Sequence, residues 1–455
     1  MTRTLIRGAT LVTMEAAHGE FIGDLLIEDD RIAALAPHLD VADAAGTEQI
    51  DARGFIVAPG FVNAHMHTWQ TALRGVAGGW TLTEYFRQMH AGLATRFTPE
   101  DIYVATLAGA WNQLDCGATT LVDWCHNNPT PAHSDAAIDA LERSGIRAAF
   151  LHGSPKPDPK PGMAPFWETP HPRHEIERLA QRLQGSELVS LGLAILGPHY
   201  STMEVALHDF ALAREFGLMA SMHQGGGAAR TPDGWARLEA AGLLGPHINI
   251  VHGNDLSDAQ LSRFVDAGVS FSLTPENELT QGHGFPITGR LRKLGVAPSL
   301  GIDLESGMSG EMFTAARVAL GVQRALDHAA YRAKHAVIAP RHEVSCREAL
   351  EWITLAGARM LGMADRIGSL AVGKQADLVL IDARRLNMMP VHDPINAVVM
   401  QASLANIDSV FVAGVARKRH GRLLADGVPR TLDALRASGE RLLAHRPTPL
   451  HRRPP

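Results

Sequence analysis

Two histidines one residue apart, His65-Met66-His67, are the first place in this chain where side chains of suitable type and spacing could do chemistry. In an extended strand alternate side chains share a face, so both imidazoles would point the same way and could grip one cation. A His-x-His pair also arises by chance, so its company matters. The chain carries 23 histidines, and several close apolar runs: His152, His223 and His252, with Asp303 ending Pro298-Ser299-Leu300-Gly301-Ile302-Asp303. Histidines and carboxylates gathered at strand ends point to a metal site or to acid–base chemistry.

Such groups need strands to hold them, and the middle of the chain supplies eight. Short apolar runs begin near Gly60, Thr119, Arg147, Leu191, Leu218, Ile248, Val269 and Pro298, separated by longer helical stretches. That alternation predicts βα units and a parallel sheet. Eight units over roughly 300 residues fit an α/β fold of the closed (β/α)8 TIM barrel type better than an open doubly wound sheet. Nearly every run ends in His, Asp or Glu at its C-terminal side, the face on which barrel active sites sit.

Both ends of the chain read differently. Thr4 to Val12 alternates, Asp24 to Ile32 reads as strand, turn and strand, and a similar pattern returns at Leu378-Val379-Leu380-Ile381 and Ser409 to Gly414. We expect residues 1–58 and 365–424 to pair into one small sheet domain, residues 59–364 to form the barrel, and 425–455 to form a helix and a frayed basic tail from Arg446. The proline-rich stretch Ser154 to Pro172, which includes Lys156 and Trp167, is either a stiff surface connection or a cap over the barrel mouth.

Composition narrows the function classes. Apolar residues make up 45% and charged residues 20%, with a net charge of -6. No basic field exists to hold nucleic acid or an anionic membrane, so the expected partner is a small-molecule substrate. Three scattered cysteines (Cys116, Cys125, Cys346) make no disulfide framework. No signal peptide and no apolar run of about 18 residues are apparent, so a cytoplasmic enzyme is expected. Gly225-Gly226-Gly227 follows a strand, but dinucleotide and Walker patterns are missing around it.

The stretch Ala58-Pro59-Gly60-Phe61-Val62-Asn63-Ala64 ahead of the histidine pair changes its weight. It resembles the first strand of the amidohydrolase superfamily, which carries Pro-Gly, an apolar pair, Asn or Asp, and then His-x-His. The resemblance continues in order through Gly117-Ala118-Thr119-Thr120 with Asp123, His223, His252, Gly301-Ile302-Asp303, Gly368-Ser369-Leu370 and Gly373-Lys374-Gln375-Ala376-Asp377. It spans almost the whole chain and is most similar to the cytosine, adenosylhomocysteine and s-triazine deaminase branch. It implies a barrel with a composite β-sandwich, and His65, His67, His223 and Asp303 as metal ligands. Three imidazoles and one carboxylate suit Zn²⁺ or Fe²⁺ and leave a position open for water. Two-metal members carry a lysine closing the fourth strand; here that run ends Gly197-Pro198-His199, so one divalent ion is expected.

By the same resemblance Asp303 takes a proton from water, whose pKa a bound cation lowers to about 7. His252 orients the nucleophile or steadies developing charge, and His199, Gln224 and Trp69 are candidate substrate contacts, with a loop-capping role nearly as good for His199. Deaminases of this branch also place a glutamate three residues after the third histidine, to carry a proton to the ring. Here Gly226 stands at that position, and an amide-like leaving group departs poorly without an acid. Glu276, Glu278 and His283 are candidate replacements, a solvated polar loop being the alternative, and Glu305 adds a carboxylate near Asp303. The three glycines also predict an uncrowded wall open to a bulkier substrate.

The leading expectation is hydrolytic deamination of an amino-substituted nitrogen heterocycle. The second is hydrolysis of a C–Cl, C–S, amide or carbamate bond in a triazine-like or related small molecule, chemistry that tolerates losing the glutamate. A metal-binding barrel without turnover is a third. A homo-oligomer, dimer or tetramer, is expected by analogy with barrel enzymes.

Overall fold

The computed structural model describes residues 2–41 and 46–444. The basic tail expected from Arg446 lies outside the described residues. Strands β1 (Arg3–Val12), β2 (Glu20–Glu28), β3 (Arg31–Ala36), β4 (Thr47–Asp51) and β5 (Phe55–Pro59) open the chain. The next eight are β6 (Phe61–Met66), β7 (Ala118–Cys125), β8 (Arg147–Gly153), β9 (Val189–Ala194), β10 (Ala220–Gln224), β11 (Ile248–His252), β12 (Ser270–Leu273) and β13 (Ser299–Leu300). They fall on the eight apolar runs of the sequence. All neighbours pair in parallel, in the order β6 to β13. Their residues are buried almost throughout, as strands covered on both faces must be.

A bridge between Met66 and Asp303 draws the two ends of this sheet together. Asp303 N donates to His65 O at 3.0 Å and His67 N donates to Asp303 O at 2.7 Å. Gly301 makes that approach possible: a Cβ there would lie 2.5 Å from His65 O. The closure therefore places the His65-Met66-His67 segment directly beside Asp303, although 236 residues separate His67 from Asp303 along the sequence.

Strands β14 (Leu378–Asp382), β15 (Ile407–Val412), β16 (Val415–Arg419) and β17 (Arg422–Leu423) return to the first five. Together they form a mixed nine-stranded sheet, ordered β17-β16-β15-β14-β5-β1-β2-β3 with β4 beside β1. The antiparallel pairing of β14 with β5 joins the two ends of the chain. This sheet has its own apolar core, including Ile6, Leu11, Leu25, Ile32, Val57 and Leu380. A buried bidentate pair fastens it to the barrel: Arg147 on β8 donates to Asp377 at 2.8 and 3.2 Å. No described helix is long and apolar enough to cross a membrane.

Candidate metal centre and active site

At the C-terminal ends of the barrel strands four side chains from β6, β10 and the turn after β13 face one another. His223 Nε2 lies 3.2 Å from His65 Nε2. Asp303 Oδ1 lies 3.3 Å from His67 Nε2 and 3.7 Å from His65 Nε2. Donors held about 2.0–2.1 Å from a tetrahedral zinc-like ion stand about 3.3 Å apart, so these separations fit one divalent cation. His67 Nδ1 contacts Trp124 O at 2.6 Å. A carbonyl accepts, so Nδ1 carries the proton and Nε2 presents its lone pair to the group.

Electrostatics suit the same purpose. Burial pushes the pKa values of His65 and His223 down and that of His67 to about 3, so all three rings are neutral donors at pH 7. Burial alone would raise Asp303, but the hydrogen bond from His65 and the cluster of His65, His67 and His252 around it hold it below the usual carboxylate range. Asp303 Oδ2 also accepts from Asn277 Nδ2 at 2.5 Å and Thr274 Oγ1 at 3.2 Å. Asp303 and His252 both sit in the left-handed region, with φ of 66° and 67°. Such strain in non-glycine residues persists only where surrounding contacts enforce it, and it clusters at active sites.

His252 Nε2 lies 3.9 Å from Asp303 Oδ2, while its Nδ1 faces Thr274 Oγ1 at 3.1 Å and Glu278 Oε1 at 3.4 Å. Glu278 is fully buried and accepts from Thr274 N at 2.9 Å. It stands behind His252 as an orienting carboxylate, outside the cavity lining. His283 does line the cavity, with its ring centroid 4.3 Å from that of His252. Neither of its ring nitrogens has a protein hydrogen-bond partner. Burial takes the pKa of His283 down to about 3.

Glu276 goes elsewhere, accepting from Ser309 Oγ at 2.6 Å. The segment for which a solvated polar loop was the alternative is a helix, Pro275–Gln281. At 3.6 residues per turn, side chains two apart diverge by about 200°, so Glu276 and Glu278 cannot share a wall. Asn277 and Gln281 take the cavity side. Glu305 is held by Arg74 and Asn112 and likewise lies outside the lining.

The three candidate substrate contacts also stand one layer back. Trp69 is fully buried and donates from Nε1 to His126 Nδ1 at 3.0 Å; His126, not Trp69, lines the cavity. His199 and Gln224 bond each other at 3.0 Å, and Gln224 is further tied to Asp255 and Trp235. Tyr200, next in sequence to His199, forms the wall instead.

The expected open wall at the glycines is filled. Gly226 has φ of 89°, and a Cβ there would lie 2.4 Å from Leu82 Cδ2 and 3.2 Å from the Tyr200 hydroxyl. The Tyr200 hydroxyl donates to Gly225 O at 2.5 Å. Leu82, Tyr85, Phe86 and His90 all come from the excursion between β6 and β7. There the helix Leu82–Tyr85 runs into a wider π-helical turn, Phe86–His90, a distortion frequent at functional sites. The remaining space, about 360 Å³ counting the open solvent at its mouth, is narrow.

Lys156 completes the mouth. The proline-rich stretch after β8 turns inward there, and the ammonium lies 5.5–5.7 Å from the ring centroids of Phe86, Trp124 and Tyr200. The stretch is anchored where His171 contacts Asp209 and His152 O, at 3.1 and 3.0 Å. Lys156 had a sequence signal in lying between two prolines immediately past a barrel strand, where the chain has few backbone conformations open to it.

A model of the amidohydrolase family matches residues 56–417, from β5 through to β16. The chain belongs to the amidohydrolase family. It is thus a hydrolase acting on non-peptide C–N bonds. This amidohydrolase is 30% identical to an 8-oxoguanine deaminase of Pseudomonas aeruginosa, covering 98% of this chain and 100% of that one. It is 29% identical to a 5-methylthioadenosine/S-adenosylhomocysteine deaminase of Symbiobacterium thermophilum, covering 91% and 93%. Its fold is similar to that of an atrazine chlorohydrolase from Arthrobacter aurescens TC1 complexed with zinc. The TM-score is 0.81 at 22% identity, over 96% of this chain and 100% of the other.

Proposed function

We propose that this amidohydrolase is a zinc-dependent deaminase that removes the amino group of a small nitrogen heterocycle as ammonia. The observation that carries the reading is the meeting of three imidazole Nε2 atoms with the Asp303 carboxylate, beside a cavity walled by His252 and His283. His65, His67, His223 and Asp303 would hold the ion, which, when bound, lowers the pKa of water towards neutrality. Both relatives described above are deaminases of amino-substituted purines by name.

The chain's own residues then divide the work. Asp303 accepts a proton from water as the water oxygen bonds to the ring carbon bearing the amino group. His252, whose Nδ1–H is held by Glu278 and Thr274, turns its Nε2 lone pair to the site and orients the attacking water by accepting from it. The ring nitrogen gains one proton, the amino group gains the second that Asp303 took from the water oxygen, the C–N bond breaks and ammonia leaves. With Gly226 unable to carry that proton, His283 is the replacement: a neutral imidazole donates from one nitrogen and accepts at the other.

A second reading follows from Gly226 and the packing around it. Because Leu82 takes the space beside it, a better leaving group, chloride, thiolate or an activated amide, would relieve the need for an acid. Zinc-loaded protein presented with aminopurines, aminopyrimidines and chloro-, thio- and acyl-substituted rings separates the two. Ammonia release supports deamination. Halide, thiol or acyl release without ammonia replaces it with the second reading, and no metal-dependent hydrolysis of any kind leaves a barrel that binds metal without turnover.

A further inference from the structure

Lys156 is the one lysine or arginine in the cavity lining, and the reaction above has no use for it. It is only 6% exposed. No hydrogen-bond or ion-pair partner for its ammonium exists among the described residues; it faces three aromatic rings instead. Cation–π contact recovers part of the cost of taking an ammonium out of water, but a buried charge normally has a counter-charge or acceptors around it. Asp303 is the only carboxylate in the cavity lining, and Glu278 is occupied behind His252. If Asp303 is committed to a divalent ion, it offsets half of that ion's charge, and Lys156 adds another positive charge at the mouth. The cavity therefore has an excess of positive charge and a three-donor ammonium with no acceptor.

We propose that Lys156 is a specificity-determining residue that receives an oxo or oxyanion substituent of the heterocycle, on the part of the ring away from the amino group being replaced. The inference rests on the deaminase reading and narrows it: the substrate class is amino-oxo heterocycles that are anionic or readily become so, in preference to neutral aminated rings. Leu82, Tyr85 and Phe86 crowd the cavity wall, which favours a small free base. Trp124, Phe86 and Tyr200 give the ammonium an apolar surround, which strengthens its hydrogen bond to a ring oxygen. Pro155 and Pro157 hold its backbone, so little ordering is left to the moment of binding. Lysine is a point charge and can meet an oxygen from several directions, so the residue selects for charge and acceptor more than for one ring shape.

Unreactive ligands test this without turnover, which keeps its failure distinct from failure of the deaminase reading. Zinc-loaded protein is titrated calorimetrically with two matched pairs, urate against purine and barbiturate against pyrimidine. The wild type binds the oxyanion of at least one pair tenfold or more tighter than its unsubstituted partner. Lys156→Met loses about ten- to hundredfold for the oxyanion, the range expected of a hydrogen bond to a charged group, and less than threefold for the unsubstituted ring. Lys156→Arg keeps part of the preference. Equal losses for both members of a pair, an unchanged preference in Lys156→Met, or no oxyanion preference in the wild type would each overturn the proposal. Far-ultraviolet circular dichroism and zinc content confirm that each variant is folded and loaded. Absence of ammonia release from amino-oxo rings, with these affinities intact, would count against the deaminase reading alone.

Discussion

Restoring the missing glutamate by Gly226→Glu tests whether the glycine is a simple loss or a part of the packing. A positioned acid or base is worth about 10²–10⁴-fold in rate. If Gly226 were merely a vacant position, the variant would gain ammonia release on that scale. The structure argues otherwise. At φ of 89° an L-residue at Gly226 is strained whatever the space, at a cost of about 1–2 kcal/mol. Its Cβ would also stand 2.4 Å from Leu82 Cδ2. The leucine tip can swing aside, so the backbone cost is the larger share, and the displaced leucine moves into the cavity. We expect urea denaturation to show a loss of about 1–2 kcal/mol and ammonia release no higher than wild type. Leu82→Ala combined with Gly226→Glu should relieve the contact without recovering the backbone cost. A tenfold or greater rise in turnover with unchanged stability would refute the reasoning, because it would mean the loop accepts the acid freely.

Three further perturbations follow from other contacts. Glu278→Gln keeps the shape behind His252 but removes the charge facing its Nδ1 at 3.4 Å; kcat should fall at least tenfold with zinc content unchanged, and loss of zinc would instead place Glu278 in metal binding. Burial brings the Lys156 pKa from 10.5 to about 8, so Lys156→Met should stabilise the metal-free protein at pH 7 by up to about 3 kcal/mol. The folded-state value lies below the unfolded one, so the unfolded chain holds more protons between about pH 8 and 10.5; wild-type stability should rise with pH across that window, and an equal rise in Lys156→Met denaturation would contradict this origin. Asp377→Ala removes the counter-charge of the buried Arg147 guanidinium, leaving it only the neutral acceptors Gln375 Oε1 and Glu187 O. That should cost about 3–5 kcal/mol in denaturant unfolding, and a cost under about 1 kcal/mol would show that the pair is weakly coupled.

Much of the architecture was legible because it is periodic. The eight apolar runs are buried on both faces, and such strands announce themselves by composition. The candidate metal donors stood out for a related reason: His65, His67, His223 and Asp303 lie at or just past strand ends, where barrel geometry fixes which way a side chain points. Residues on the connections were not. The segment Thr274 to Glu278 carries two glutamates that look alike in sequence, yet its helical path sends Glu276 to Ser309 and Glu278 to His252. His199 and Tyr200 are adjacent, and the four-residue helix Gly197–Tyr200 turns the tyrosine, not the histidine, into the wall. Leu82 and Phe86 fill the site from an excursion whose route no local pattern encodes. A gap read from three glycines says nothing of what another element brings to fill it.

The most direct test of the account is the metal content of the purified protein, measured by mass spectrometry after chelation and reloading with zinc. We expect one zinc per chain in the wild type, and near-complete loss in His65→Ala/His67→Ala and in His223→Ala, with circular dichroism unchanged. Wild-type protein that takes up no stoichiometric metal, or a double variant that still holds one ion per chain, would contradict the assignment of these four side chains as the metal centre.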